Sequence, residues 1–291
     1  MFLLSAATRF ALAMLRPANY RPPELKSAAD LLEMRKAGVL VARAHRIVRD
    51  LARPGVKTID IDRAVEAFFA AHKATPLFKG YPGKVPFPAS TCLSVNAEVV
   101  HGIPGQRVLK DGDILKVDTA CDLNGWCADR AVTHLIGTVR PETRRMVRVA
   151  EECLAMAIAE LPRRRWWSEI ASLMQKHVEQ SGFKVVTDYV GHGIGRHMHE
   201  NPQVPNFVNK ETRKNDFKLE PGLVLAIEPM VNMGTDRVTL LRDHWTVVTH
   251  DGLPSVHVEH TVALTPGGVV IITSDDGAFD DEPAPSAGTA A

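Results

Sequence analysis

Residues 114–135 read ILKVDTACDLNGWCADRAVTHL. Two strand-like runs flank Asp122-Leu123-Asn124-Gly125, which has Asp first and Gly last, as a type I turn prefers. Closing a hairpin on that turn pairs Asp122 with Gly125 and, further along, Asp118 with Asp129. Like charges directly opposed across two strands are destabilising. A pair kept in that position calls for a neutralising cation.

Three later stretches supply groups of the same kind. Gly191-His192-Gly193-Ile194-Gly195 offers a loop imidazole. Ala226-Ile227-Glu228-Pro229 and His257-Val258-Glu259-His260 each set a glutamate in an apolar, strand-like run. Carboxylates buried without partners are costly, so Asp118, Asp129, His192, Glu228 and Glu259 read together as one polynuclear site. Carboxylate oxygens with one imidazole suit divalent Mn, Fe, Co or Zn. A two-metal centre can activate water and polarise a carbonyl, and no Gly-x-Ser-x-Gly elbow or Cys–His pairing offers a rival nucleophile. His101 and His199 lie on Gly- or Pro-flanked loops, where a scaffold can aim them into a cleft. One of them can bind substrate while the other donates to a carbonyl oxygen as charge develops. His257 shares a strand face with Glu259, whereas His260 faces away.

The chain has 291 residues, 45% hydrophobic and 24% charged, the composition of a globular protein. A net charge of +1 gives no electrostatic case for nucleic acid or a membrane surface. Cys92, Cys121, Cys127 and Cys153 show no C-x-x-C spacing, which excludes a zinc ribbon and fits a reducing compartment. Cys127 reads as a packed small side chain rather than a ligand. Residues 1–24 carry Arg9, Arg16 and Arg21 and no acid before Glu24. They read as a flexible leading segment of a cytoplasmic protein, or as an organellar transit segment. Residues 276–291 read as a disordered acidic tail.

Between these ends no Pro/Ser linker interrupts residues 25–275, which implies one α/β domain. Ser27 and Asp30 resemble a capping box ahead of a helix to about Leu51, and Thr58 reads as the cap of a second helix to about His72. Residues 75–91, rich in Pro, Gly and aromatics, form a long loop. Further helices are expected near 141–161 and 168–181, opened by Pro141 and capped by Ser168. Strand signals follow at 183–187, 223–228, 246–249, 256–264 and 269–273. Two helices and strands, followed by two helices and strands, suggest a duplicated unit.

Taken together, Cys92-Leu-Ser-Val-Asn96, Val100-His-Gly-Ile-Pro104, the Asp118/Asp129 pair, Gly191-His-Gly-Ile-Gly195, His199-Glu200-x-Pro202, Ile227-Glu-Pro-Met-Val231 and Glu259-His-Thr261 carry a resemblance to the type I methionine aminopeptidases. That resemblance covers residues 25–275. It implies the mixed α/β pita-bread fold, a pseudo-twofold curved antiparallel sheet backed by two helix pairs. It implies two divalent ions on Asp118, Asp129, His192, Glu228 and Glu259, with Asp129 and Glu259 bridging. His101 would lie at the substrate amine, His199 at the scissile carbonyl, and Glu228 would shuttle the proton. Phe78, Tyr81, Cys92, Met198 and Trp245 would line a pocket for the methionine side chain, since aromatic and sulfur groups grip a thioether. The implied substrate is the N-terminus of a nascent polypeptide with a small second residue, met by a monomer acting transiently at the ribosome. An Xaa-Pro peptidase of the same fold and an inactive binding module are the competing readings. Three places depart from the family: Cys127-Ala-Asp-Arg130 stands where His-Gly-Asp-Thr is usual, the loop from Tyr81 to Cys92 is long, and Met198 replaces an aromatic. Strand alternation puts Arg130 on the face away from the ligands.

Overall fold

Two side chains start the first helix in this computed structural model, which describes residues 22–275. Asp30 N–H donates to Ser27 Oγ at 3.2 Å, and Ser27 N–H donates to Asp30 Oδ2 at 2.9 Å, the anticipated capping box. Helix α1 spans Ala28–Leu51, and α2 spans Thr58–Ala71. Thr58, expected to cap α2, is instead its first residue. Its hydroxyl donates to Gly105 O at 3.1 Å and accepts from Gly105 N–H at 2.9 Å, tying the helix start to the turn after His101. The expected leading segment, apart from residues 22–24, and the expected tail at 276–291 lie outside the described residues.

The first strands are β1 (Thr75–Pro76), β2 (Cys92–Val95), β3 (Glu98–Val100), β4 (Ile114–Leu123) and β5 (Trp126–Leu135). The long strand β4 pairs with β5 along one edge and with β2 and β1 along the other, always antiparallel. Met34, Val41 and Val48 of α1 and Ile61, Val65 and Phe69 of α2 pack onto Leu115, Val117, Trp126 and Ala128 of this sheet. That leaves the opposite face of β4 and β5, carrying Asp118 and Asp129, turned away from the helices.

The hairpin register differs from the expected one. Leu123 pairs with Trp126, so the turn is the two-residue loop Asn124-Gly125, with φ of 55° and 79°. Two positive φ values are the signature of a type I′ turn, whose twist matches that of the flanking strands. Asp118 therefore pairs with Ala131 and Asp129 with Ala120. The two aspartates are diagonal neighbours on one face rather than directly opposed.

The second half repeats the plan. Helix α3 spans Pro141–Glu160 and α4 spans Trp167–Gln180. Ser168 is not the cap of α4, which starts one residue earlier; Glu169 instead accepts from the N–H groups of Trp166 at 2.9 Å and Arg165 at 3.0 Å. The remaining elements are β6 (Lys184–Val185), β7 (Gly191–Gly193), β8 (Glu200–Val204), the short α5 (Lys210–Lys214), β9 (Val224–Ile227), β10 (Met230–Asn232), β11 (Val238–Leu240), β12 (Val247–Thr249), β13 (Ser255–His257), β14 (His260–Thr265) and β15 (Gly268–Ile271). They form a five-stranded sheet in the order β15-β14-β9-β7-β8, a sheet β13-β10-β6, and a sheet β11-β12-β3 that pairs the two halves. Met146 and Cys153 of α3 with Ile170 and Met174 of α4 pack against Leu225, Val231, Val256 and Val262.

The continuous strand expected over 256–264 is broken at Val258-Glu259. There Glu259 N–H leaves its own sheet and donates to Ala131 O of β5 at 2.9 Å. That bond brings the second half of the chain onto the aspartate hairpin.

Because Gly125 holds φ at 79°, an alanine there pays the left-handed backbone cost of about 1–2 kcal/mol. Urea unfolding of Gly125→Ala is expected to show a stability loss of that size with an unchanged denaturant slope.

Candidate metal centre

Five elements converge where the two halves meet. Asp118 lies on β4, Asp129 on β5 and His192 on β7, with Glu228 between β9 and β10 and Glu259 between β13 and β14. Thr261 fixes Asp129 by its backbone: the hydroxyl accepts from Asp129 N–H at 3.0 Å and donates to Asp129 O at 2.8 Å. Asn206 Nδ2 donates to Glu228 O at 3.1 Å. A side chain on Gly193 would put Cβ 2.2 Å from Asn201 O, so glycine is what lets β7 and β8 close beside His192.

The candidate ligand atoms face one another. One ligand atom each from Asp129, His192 and Glu259 lies within 4.8 Å of the others. His192 Nδ1 lies 2.9 Å from Gly193 O, a bond it makes as donor, which leaves Nε2 as a lone-pair ligand 3.7 Å from Glu228 Oε1. The buried His257 places Nε2 3.3 Å from Glu228 Oε2, on the carboxylate side, although the strand expected to carry both it and Glu259 is broken between them. His260 turns away and pairs Nδ1 with Thr273 Oγ1 at 2.9 Å.

Electrostatics test whether a cation fits. Asp118 Oδ1, Asp129 Oδ1 and Glu259 Oε1 are buried with no hydrogen-bond partner in the protein. Burial, reinforced by the charges of their neighbours, pushes Asp118, Glu228 and Glu259 well above the usual carboxylate range. Burial lifts Asp129 to about 6 against its bonds to Asp118 and the Arg130 backbone. Burial, then the neighbouring His199, lowers His192 to about 3, so its ring is in the neutral form a metal requires. Orphaned carboxylate oxygens around a neutral imidazole are the donor set of a divalent cation, and the site fits one.

His101 and His199 flank this cluster. His101, with φ of 59°, rests its ring edge-on against Tyr189 at 5.6 Å and Trp245 at 6.3 Å. His199 meets the His192 ring at 4.3 Å and pairs Nδ1 with Tyr81 Oη at 2.7 Å. Both line the cavity yet are largely surrounded by protein, and burial lowers each to about 4. They stay neutral near pH 7.

Phe78, Cys92, Met198 and Trp245 form one apolar cluster, with Tyr81 packed against it. Phe87, which the sequence reading passed over, belongs to the same wall, 5.3 Å from the Trp245 ring and edge-on to it. Its signal was the aromatic content of the 75–91 loop. Thr261, quoted in the Glu259-His-Thr261 motif, was given no role there, and Asn206 was missed. Ligands and apolar wall share a cavity of about 530 Å³. Cys127 is buried, with Sγ 3.6 Å from Arg196 O and its thiol pushed up to about 12 by burial, so it stays protonated. Arg130 lies on the far face, where Nη1 donates to Thr273 O at 3.2 Å.

The pattern of metallopeptidase family M24 matches residues 33–266. The chain belongs to that family. The methionine aminopeptidase of Clostridium perfringens is 45% identical over 249 residues, which are 86% of this chain and 98% of that protein. Methionine aminopeptidase 1 of Bacillus subtilis is 44% identical over 250 residues, 85% of this chain and 98% of that one. The crystal structure of the Thermotoga maritima methionine aminopeptidase matches with a TM-score of 0.82 at 40% identity, covering 87% of this chain and 100% of that one. The prolidase of Pyrococcus furiosus, at 19% identity and a TM-score of 0.65 over 86% of this chain and 65% of that one, shares the fold alone. The M24 chain thus has the mixed α/β pita-bread architecture that its motifs implied, and it is a metallopeptidase grouped with the methionine aminopeptidases.

Histidines whose folded pKa lies near 3 or 4 bind fewer protons than the unfolded chain, whose value is near 6.5. They therefore remove stability as pH falls through that window. The raised carboxylates of metal-free protein act in the opposite sense, whereas a bound cation holds them ionised. Melts at pH 7 and pH 5 should show a steeper loss for metal-loaded than for metal-stripped protein. Added Mn²⁺ at about a hundred times its Kd should stabilise the stripped protein at pH 7 by about 2.7 kcal/mol, and Asp129→Asn should abolish most of that gain.

Proposed function

We propose that this M24 chain removes the initiator methionine from nascent polypeptides whose second residue is small, using two divalent ions held by Asp118, Asp129, His192, Glu228 and Glu259. The carrying observation is a register: Cys92 of the apolar wall is the direct Cα partner of the ligand Asp118. A thioether gripped by that wall would set its own amino terminus and first carbonyl beside the carboxylates. Bound there, divalent ions of the Mn, Fe, Co or Zn type supply Lewis acidity and lower the pKa of water.

The protein's own groups supply the rest of the reaction. His199 donates to the carbonyl oxygen as it gains charge, an interaction strongest in the transition state. His101, its ring against Tyr189, serves the substrate amine and the P1′ side. Glu228, its pKa raised first by burial and then by Asp129, is suited to accept a proton from the attacking water and pass it to the leaving amine. Phe78, Tyr81, Cys92, Met198 and Trp245 hold the methionine side chain. On this reading the chain acts as a monomer. The reading places this action in the cytoplasm, where nascent chains emerge, with brief visits to the ribosome.

The test is release of free methionine from Met-Ala-Ser and Met-Pro peptides by metal-stripped protein, with and without Mn²⁺ or Co²⁺. Metal-dependent release that spares an Ala-Pro peptide is expected; cleavage of Ala-Pro instead would favour the Xaa-Pro reading. Glu228→Gln should keep the fold by circular dichroism and lose at least about 100-fold in kcat. Full retained turnover in that variant would refute the proton-shuttle role.

A further inference from the structure

Tyr81 enters the site twice. Its ring is part of the apolar wall, edge-on to Trp245 at 6.4 Å. Its hydroxyl leaves that wall and lies 2.7 Å from His199 Nδ1. A methionine pocket needs the ring but not the oxygen, so the oxygen asks for its own explanation.

A neutral imidazole carries one N–H, on either nitrogen, and its neighbours choose between the two tautomers. Among the described residues, Tyr81 Oη makes no hydrogen bond other than the one to His199, and His199 Nε2 makes none. If Nδ1 carried the proton, it would donate to Oη and leave the phenol proton without a protein acceptor. If Oη donates to Nδ1, one bond uses the phenol proton and leaves the imidazole proton on Nε2.

We propose that Tyr81 is a positioning residue for His199: its phenol donates to Nδ1 and so confines the imidazole proton to Nε2, the nitrogen left free in the cavity. This inference rests on the reading of His199 as the donor to the scissile carbonyl. It adds the reason His199 can donate, since the other tautomer would present a lone pair to the carbonyl oxygen and repel it. Backbone bonds hold the tyrosine in place: Tyr81 N–H donates to Phe78 O at 2.9 Å, and Phe87 N–H donates to Tyr81 O at 3.1 Å. The extended loop therefore closes on itself at Tyr81, the residue that reaches His199.

Tyr81→Phe deletes one oxygen and keeps the ring. The expected result with Met-Ala-Ser is a fall in kcat of about 10- to 100-fold, with KM within about twofold and an unchanged melting temperature. Nitrogen-15 spectra of histidine-labelled, metal-stripped protein should show His199 as the Nε2–H tautomer in the wild type and as a mixture in the variant. Unchanged kcat, a change in KM alone, or a wild-type His199 protonated at Nδ1 would each overturn the inference. If the wild type released no methionine, the functional reading would fail, and the tautomer spectra would still decide the role of Tyr81.

Discussion

Mutual repulsion among four carboxylates is the constraint on which the molecule turns. Asp118, Asp129, Glu228 and Glu259 are crowded into one wall of the cavity, and three of their oxygens have no protein partner. Left alone, such a cluster would protonate or push its strands apart. The fold resists the second outcome by fixing backbone rather than side chains. Thr261 bonds both backbone groups of Asp129, and Glu259 N–H reaches across to Ala131. The carboxylate oxygens are thereby kept free for a cation, and the two halves of the chain are joined at the point where their charges most oppose joining.

How much of this was legible follows from periodicity. The hairpin expected on Asp122-Leu123-Asn124-Gly125 closes instead on Asn124-Gly125. The two registers differ by an even number of residues, so every side chain keeps its face; a slip of one would have turned both aspartates into the helix layer. The five candidate residues therefore still line one cavity, while the direct opposition expected of the first two becomes a diagonal one. Asp-x-x-Gly and Asn-Gly are both valid turn signals, and the positive φ of Asn124 is what the type I′ loop exploits. Caps failed for a related reason. Thr58 and Ser168 are good capping residues, but Thr58 found a tertiary partner in Gly105, and Glu169 served the start of α4 instead.

Strands of two or three residues, such as β1, β7 and β10, carry no periodicity to read. Nor do the bonds that complete the site. Tyr81 with His199, Asp129 with Thr261 and Asn206 with Glu228 join positions far apart in the chain. Residue patterns pointed to Asp129, Glu228 and His199 one by one, and the motif resemblance, which compresses tertiary information into local strings, added Tyr81. It singled out Tyr81 and Asp129 but passed over Asn206, and it assigned Tyr81 to the pocket without its second contact.

The departure at Cys127-Ala-Asp-Arg130 shows how a sheet separates the two jobs of one strand. Asp129 and Arg130 are adjacent, yet they serve opposite faces of β5. Arg130 is spent on the rear, where Nη1 bonds Thr273 O and its own carbonyl accepts from His45 Nε2 at 2.8 Å. Burial first, and then its charge, lowers the pKa of His45, His134 and His260, all on that side. Arg35 Nη1 donates to Ile272 O and Ser274 O, and Arg46 pairs with Asp275, so the last described residues are strapped across α1 by the same kind of cation. A guanidinium bonded to the Thr273 carbonyl behind the sheet does not compete for Asp129 Oδ1. Arg130 thereby ties β5 to Thr273 through its side chain and to His45 of α1 through its carbonyl.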